Sequence, residues 1–212
     1  MKISWMGHSC FLLETILGTK IITDPYEPGG YGGAVGYSAL NISADIVTVS
    51  HQHTDHNYCA GFKSAKIIDT CKEVKVKEVL VRGVPSFHDE SQGRERGHNI
   101  IFIFETENLK IAHFGDLGTL DINYDYFKDI DVALIPVGGT FTIDAGHAQK
   151  LIENISPQIT VPMHFKTKKL GFNIDKVDKF LKDKAWEEKD ILDINRDSIN
   201  SFKRIVVLRH QR

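Results

Sequence analysis

The stretch Ser50-His51-Gln52-His53-Thr54-Asp55-His56 is the most informative part of this 212-residue sequence. It directly follows Asp45–Ser50, an apolar and β-branched segment that predicts a strand. Residues two apart in an extended segment point the same way, so His51 and His53 can bind one ion together. The aspartate and the last histidine can then turn toward a second ion. An isolated H-x-H can arise by chance on a surface, but H-x-H-x-D-H combines the imidazole and carboxylate donors that zinc accepts.

Apolar runs on both sides of this stretch predict a first part of the chain that is mostly β-structure. Turn signals separate the runs, including the glycine-rich segment Glu27–Gly36 and Glu107-Asn108 in a predicted hairpin. The further predicted strands are Lys2–Trp5, Phe11–Glu14, Lys20–Thr23, Lys66–Asp69, Val74–Val81, Ile100–Glu105, Leu109–Phe114, Val132–Val137 and a closing strand Phe202–Leu208.

Helical patterns are fewer and lie in the later part of the chain. One covers Asp144–Asn154, where Asp144 can cap the start, and another covers Asp175–Lys182. No internal repeat, low-complexity segment or long linker divides the chain. We therefore expect residues 1–212 to form one compact α/β domain.

Composition argues against several classes of partner. Lysine plus arginine (26) nearly balances aspartate plus glutamate (28), so a net charge of −2 offers no general attraction for nucleic acid or anionic lipid. No apolar run approaches the roughly 18 residues of a membrane span, and the N-terminus lacks a signal-peptide pattern, so a cytoplasmic location without membrane contact is predicted. Cys10, Cys59 and Cys71 show no C-x-x-C spacing and are interpreted as free thiols. A homo-oligomer is left open.

The motif H-x-H-x-D-H after a strand resembles the metallo-β-lactamase superfamily. That family has three later ligands: a lone histidine, an aspartate in a Gly-Asp step and a histidine after a late strand. Matching residues occur in the same order, each after a predicted strand. They are His88 in Ser86-Phe87-His88-Asp89, Asp116 in His113-Phe114-Gly115-Asp116 and His164 in Val161-Pro162-Met163-His164-Phe165.

The resemblance implies a four-layer αββα sandwich with two divalent ions at one edge between two sheets. Zinc is expected, and Mn²⁺ or Fe²⁺ would accept the same donors. The implied ligands are His51, His53 and His88 for the first ion, Asp55, His56 and His164 for the second, and Asp116 as the bridge.

Further motifs resemble a narrower branch, the small bacterial hydrolases similar to L-ascorbate-6-phosphate lactonase, over residues 1 to about 170. Gln52 stands where diiron flavoprotein relatives usually have glutamate, which disfavours an iron oxidoreductase. The motifs of the branch are Trp5-Met6-Gly7-His8-Ser9, Thr23-Asp24-Pro25, Arg96-Gly97-His98-Asn99, Gly115-Asp116-Leu117-Gly118 and Pro136-Val137-Gly138-Gly139-Thr140-Phe141-Thr142.

The predicted activity is hydrolysis of an ester, lactone or phosphodiester bond in a small substrate. A metal-bridging hydroxide, positioned by Asp116 and Asp55, would be the nucleophile. His8 is predicted to hydrogen-bond the substrate, with a packed or surface histidine as the alternative. Asp24 is predicted to accept a hydrogen bond from a metal-binding histidine.

Other interpretations remain open at this level. The chain could be a nuclease or cyclic-nucleotide phosphodiesterase, or a metal-binding regulatory protein without turnover. Thr140, Thr142 and Lys166 could contact an anionic or carbonyl substrate, or could be ordinary loop residues. The glycine-rich segment 27–36 has no following G-K-[ST], so it is interpreted as a rim over the active site rather than as a phosphate loop.

Overall fold

The structure is a computed structural model that describes residues 1–212. Five N-terminal strands and one late strand form a six-stranded sheet. Side by side, its strands are β13 (Leu192–Asp193), β1 (Lys2–Gly7), β2 (Cys10–Glu14), β3 (Lys20–Thr23), β4 (Ile46–Thr48) and β5 (Lys66–Ile68). In this sheet β1 and β3 run antiparallel to β2, and β4 and β5 run parallel to β3.

A second six-stranded sheet packs against the first. Its strands are, in order, β11 (Ile159–Met163), β10 (Val132–Pro136), β9 (Leu109–His113), β8 (His98–Thr106), β7 (Val79–Phe87) and β6 (Glu73–Val76). Strands β6 to β9 are antiparallel neighbours, whereas β9, β10 and β11 are parallel. A short parallel pair joins β12 (Glu187–Lys189) to β14 (Val206–Leu208).

Helices are few. They are α1 (Gly30–Gly33), which is one irregular turn, α2 (Ala145–Ile155), α3 (Val177–Leu181) and the 3-10 helices Tyr124–Phe127 and Ile199–Ser201. The predicted cap of α2 is confirmed, since the side chain of Asp144 accepts a 2.8 Å hydrogen bond from the His147 amide. No helix is both long and apolar enough to cross a bilayer.

Alternation along the first sheet explains how both of its faces are buried. Trp5 and Ile21 face the 45-residue core that the two sheets share. Their neighbours Met6 and Ile22 point to the other face, where Tyr26 and other loop residues cover them in an 11-residue cluster. Because side chains on a strand alternate with period two, a sheet buried on both faces needs nearly continuous apolar runs. The predicted α/β sandwich of the metallo-β-lactamase type is confirmed, with loops forming much of the outer layer on this side.

Two of the predicted strands are wrong in their bounds. Val74–Val81 is not one strand but the antiparallel hairpin of β6 and β7, which turns at Lys77 and Glu78. Lys77 takes a left-handed conformation (φ 52°). The sequence does not predict this turn, because it contains no glycine or proline. In Phe202–Leu208 only the last three residues, β14, form a strand.

Strand direction brings the predicted site residues to one edge. Strands β1, β3 and β4 run the same way in the first sheet, and β7, β9 and β11 run the same way in the second. The chain continues directly from the carboxyl ends of these six strands into the segments that carry the site. Those segments contain His8, Asp24, His51 to His56, His88, Asp116 and His164.

Candidate metal centre

Six histidines converge in two groups at this edge. In each group the ring nitrogens lie within 4.8 Å of one another, close enough to hold a metal ion. The first group is the predicted one, His51, His53 and His88. The second contains His56 and His164 as predicted, with His8 as its third member.

Asp116 lies between the two groups. Its Oδ2 is 3.2 Å from Nε2 of His56, 3.3 Å from Nε2 of both His88 and His164, and 3.9 Å from Nε2 of His51. Burial opposes ionisation of Asp116, but the neighbouring His164 and His56 hold the pKa of its carboxyl well below the ordinary value. One carboxylate therefore contacts histidines of both groups, as a bridging ligand must.

The backbone that presents Asp116 is held in place from two sides. Its amide donates to Oδ1 of Asn99 at 2.9 Å, and Nδ2 of Asn99 donates to the Phe114 carbonyl at 3.0 Å. Gly115, between them, has a positive φ of 54°, and a Cβ there would collide with Asn99 and Ser50. The Gly-Asp step is therefore required by close packing as well as by backbone conformation.

Asp55 pairs with His8 rather than standing alone. Nε2 of His8 is 3.0 Å from Oδ2 of Asp55 in a buried contact. Burial, followed by the proximity of His164, lowers the pKa of His8 to about 4, so its imidazole is neutral at pH 7. A carboxylate can only accept a hydrogen bond, so the single ring proton sits on Nε2 and is donated to Asp55.

Asp24 connects both histidine groups from behind. Its Oδ2 accepts from Nδ1 of His56 at 3.0 Å and from the Ser50 hydroxyl at 2.6 Å, and its Oδ1 accepts from the Ser50 amide at 2.8 Å. The Ser50 Oγ in turn lies 2.9 Å from Nδ1 of His51. Asp24 thus orients His56 directly and His51 through Ser50, which is the role predicted for it.

The donors present fit a divalent metal. Nε2 of His51 and Oδ1 of Asp55 are buried without a hydrogen-bond partner, a costly arrangement that a metal would relieve. Burial, followed by His56, lowers the pKa of His51 well below its ordinary value, so it is neutral as a ligand must be. Burial also lowers the pKa of His56, but Asp116 and Asp55 raise it well above its ordinary value, which indicates surplus negative charge. Imidazole nitrogen and carboxylate oxygen are the donors zinc prefers.

A cavity of about 280 Å³ opens onto this centre. Five predicted ligands line it: His53, Asp55, His88, Asp116 and His164. A larger groove of about 590 Å³ lies elsewhere, beside Ser156 and Lys184, and contains no histidine or aspartate. Of these two, only the smaller cavity adjoins the candidate ligands, and its volume is near the lower limit for small-molecule sites.

Three cavity residues, Arg96, Phe141 and Phe172, received no predicted role, and a fourth, Tyr31, comes from the segment 27–36 that was interpreted as a rim. The signals were weak, since Tyr31 is the aromatic residue in the glycine-rich segment and Arg96 begins Arg-Gly-His-Asn. Conversely, Lys166 does not line the cavity, because its Nζ donates to the Phe172 carbonyl at 2.6 Å.

The other residues considered from sequence lie outside the two groups. Thr140 donates its hydroxyl to the Asn173 carbonyl at 3.1 Å, and Thr142 donates to the Ile143 carbonyl at 3.1 Å. His113 packs beneath the centre, where its Nε2 lies 2.8 Å from the Ser9 carbonyl. The remaining histidines, His98, His147 and His210, belong to neither group.

The chain matches a protein-family profile and several known proteins. The Beta-lactamase superfamily domain profile matches residues 2–164, a range that includes all the predicted ligands. A UPF0173 metal-dependent hydrolase of Methanoculleus marisnigri is 31% identical over 195 residues, covering 79% of this chain and 82% of the relative. One from Thermococcus kodakarensis is 29% identical over 195 residues, covering 79% and 85%.

Among solved structures, a Thermotoga maritima protein assigned to the Zn-dependent hydrolases of the metallo-beta-lactamase superfamily is similar over the whole chain. It has 36% identity and a TM-score of 0.81, with 99% of both chains covered. The chain therefore belongs to the metallo-beta-lactamase superfamily and, within it, to the UPF0173 metal-dependent hydrolase family.

Proposed function

We propose that this protein is a hydrolase that uses two divalent ions, zinc in the first instance, to cleave an ester, lactone or phosphodiester bond in a small substrate. The observation that carries the proposal is the position of Asp116 Oδ2, 3.2 to 3.9 Å from Nε2 atoms of both histidine groups. His51, His53 and His88 would hold one ion, and Asp55, His56 and His164 the other, with Asp116 shared. When bound, the ions supply the Lewis acidity that activates water and polarises the scissile bond.

Asp55 is the residue best placed to move a proton. Its Oδ2 accepts the Nε2–H of His8, while its Oδ1 has no hydrogen-bond partner, and the residue lines the cavity. With Oδ2 occupied by His8, Oδ1 is the oxygen left to hold the second ion, and its other lone pair can take a proton from the attacking water and return it to the leaving group. The proposal thus gives Asp55 the catalytic role that was expected from the sequence.

His8 acts in this proposal through Asp55. It is completely buried and does not line the cavity, so it has no path to a substrate. Its hydrogen bond fixes which carboxylate oxygen of Asp55 remains available, which makes His8 a positioning residue. His8→Gln keeps an N–H donor and should retain more turnover than His8→Ala, whereas equal loss of metal in both variants would instead make His8 a ligand.

Metal content and turnover together test the function. Protein purified without added metal should contain about two ions per chain, and it should hydrolyse a member of a panel of lactones, phosphodiesters and thioesters. Activity should disappear after chelation and return with Zn²⁺, Mn²⁺ or Fe²⁺. A content well below one ion per chain would contradict the metal centre. Metal at full stoichiometry without turnover would support the regulatory alternative.

The family assignment does not reach the branch of L-ascorbate-6-phosphate lactonase. The small cavity and the formal net charge of −2 of the whole chain give no support to a nuclease. We further propose one hydrolase domain over residues 1–212, a cytoplasmic location and a small-molecule partner.

A further inference from the structure

We infer that the substrate has an anionic group attached to an aromatic or similarly flat apolar portion, and that four cavity residues select it. Arg96 binds the anion. The aromatic rim, defined as Tyr31, Phe141 and Phe172, holds the apolar portion. The inference names a substrate class and rests on the proposed function.

Arg96 is the one lysine or arginine among the residues that line the cavity. Its closest carboxylate is Oε2 of Glu95, 3.8 Å from Nη1, which is too long for a hydrogen bond. No protein group therefore accepts a hydrogen bond from the Arg96 guanidinium. The guanidinium lies 5.9 Å from the centre of the Phe141 ring, an arrangement that leaves its edge free for a carboxylate or phosphate.

The loop that presents Arg96 is built around a buried carboxylate. Asp89, next to the predicted ligand His88, accepts four backbone N–H groups from the loop that follows it. The donors are Ser91 at 2.8 Å, Gly93 at 2.9 Å, Glu95 at 3.1 Å and Arg96 at 2.7 Å. The backbone of this loop is therefore preorganised, so the Cα of Arg96 is held beside the candidate metal centre and only the side chain has to be ordered on binding.

The aromatic rim comes from three separate segments of the chain. Phe172 is central, with its ring centre 5.4 Å from that of Tyr31 and 5.8 Å from that of Phe141, both in edge-to-face contact. Tyr31 and Phe141 remain 52% and 38% exposed, so they keep apolar surface in contact with water that a ligand could cover.

Backbone features hold the rim over the centre. Tyr31 has a left-handed conformation (φ 52°), which is unfavourable for a residue with a side chain. Glycine would adopt it at lower cost, so a tyrosine at this position points to a use for its aromatic side chain. The Lys166 ammonium fixes the Phe172 carbonyl, as described above.

Metal-directed ligands can test this subsite without requiring turnover. Hydroxamates bind through the metal, so the metal-loaded protein can be titrated calorimetrically with acetohydroxamate, benzohydroxamate and the 3- and 4-carboxybenzohydroxamates. In the wild type, a carboxylate in the better of the two positions should raise affinity about tenfold over benzohydroxamate. Arg96→Ala should remove that gain and leave the affinity for benzohydroxamate within about twofold.

Arg94→Ala is the matched control. Arg94 belongs to the same loop but donates to the Ser91 carbonyl at 2.9 Å and does not line the cavity. It should keep the full carboxylate preference. The preference for benzohydroxamate over acetohydroxamate should fall about threefold to tenfold in Phe141→Ala, because the rim would lose one aromatic face.

The outcomes separate this inference from the proposed function. Equal affinity for the neutral and carboxylated ligands in the wild type would overturn the inference and leave the hydrolase untouched. A carboxylate preference that depends on Arg96, together with failure to hydrolyse the neutral and anionic members of the panel, would support the ligand class and contradict hydrolysis. A protein that takes up no divalent metal, and therefore binds none of the hydroxamates, would overturn both.

Discussion

The two histidine groups have similar donors but different surroundings. In the open group, His51, His53 and His88, one member is only half-buried and lines the cavity. In the closed group, His8, His56 and His164, all three rings are buried. The closed group also has two aspartates in hydrogen-bond contact, Asp24 and Asp55. The difference indicates that the closed group is the better organised, while the open group is the more accessible to solvent.

Within each group the histidines also differ in whether Nδ1, the ring nitrogen that faces away from Asp116, has a hydrogen-bond partner. His51 and His56 have protein partners for Nδ1, in Ser50 and Asp24 respectively. Nδ1 of His88 and of His164 has none. Because such partners fix the orientation of a metal-binding imidazole, both groups depend on the Asp24–Ser50 network more than on any other support.

The largest effect should come from the residue that the groups share. Asp116→Asn removes the negative charge between them and should reduce turnover by about a thousandfold or more, a larger loss than for a supporting residue. Steady-state kinetics on the best substrate of the panel measures it. The Asp116 amide still bonds to Asn99, so the thermal unfolding midpoint should change little, and near wild-type turnover would exclude a bridging role.

Asp24→Asn should lower the affinity of the protein for both ions by about 10- to 100-fold, because Asp24 orients His56 directly and His51 through Ser50. Competition with a chromogenic chelator measures both affinities. Ser50→Ala is the matched variant, since it cuts the link to His51 and leaves the bond from Asp24 to His56. Ser50→Ala should lower the affinity only for the ion held by His51, His53 and His88. An equal effect of Ser50→Ala on both ions would contradict the division into two groups.

Chelation should remove the ions in two phases. The ion of the open group should be released about tenfold faster than the ion of the closed group, because water and chelator can reach it beside the half-buried His53. Stopped-flow measurement of metal release, with the spectrum of the Co²⁺-substituted protein, distinguishes the sites. His53→Ala should accelerate the first phase alone, and a single phase in the wild type would show that the groups do not differ in this way.

The smallest effect should come from outside both groups. Asp144→Ala removes the cap of α2 and should cost about 1 kcal/mol of unfolding free energy without changing metal affinity. The backbone hydrogen bond from His147 lowers the pKa of Asp144 in the folded protein below its ordinary value of 3.8. The stabilisation by the ionised cap is therefore fully present above pH 3.8, and it is lost as the pH falls through the lower pKa of the folded protein. Denaturant unfolding of both proteins at pH 7 and pH 3 should show the difference shrinking at pH 3.

Much of the fold could be predicted from the local pattern of apolar residues. Most strands of both sheets were predicted, because alternating or continuous apolar runs are dictated by which faces are buried. The hairpin at Lys77 was missed because its left-handed turn carries no glycine or proline. The short strands β12 and β13 were missed as well, since two or three residues contain too little periodicity to detect.

The residues proposed as ligands were found in the sequence by two routes: the cluster from His51 to His56 by its spacing after a strand, and His88, Asp116 and His164 by the resemblance to a known family. The pairing of His8 with Asp55 joins residues 47 apart, and no local pattern specifies it. The convergence of Tyr31, Arg96, Phe141 and Phe172 on the cavity is likewise long-range. Such contacts exist only after the sheets have paired and packed, because side chains on separate loops acquire a common environment from the strands that precede them rather than from their own neighbours.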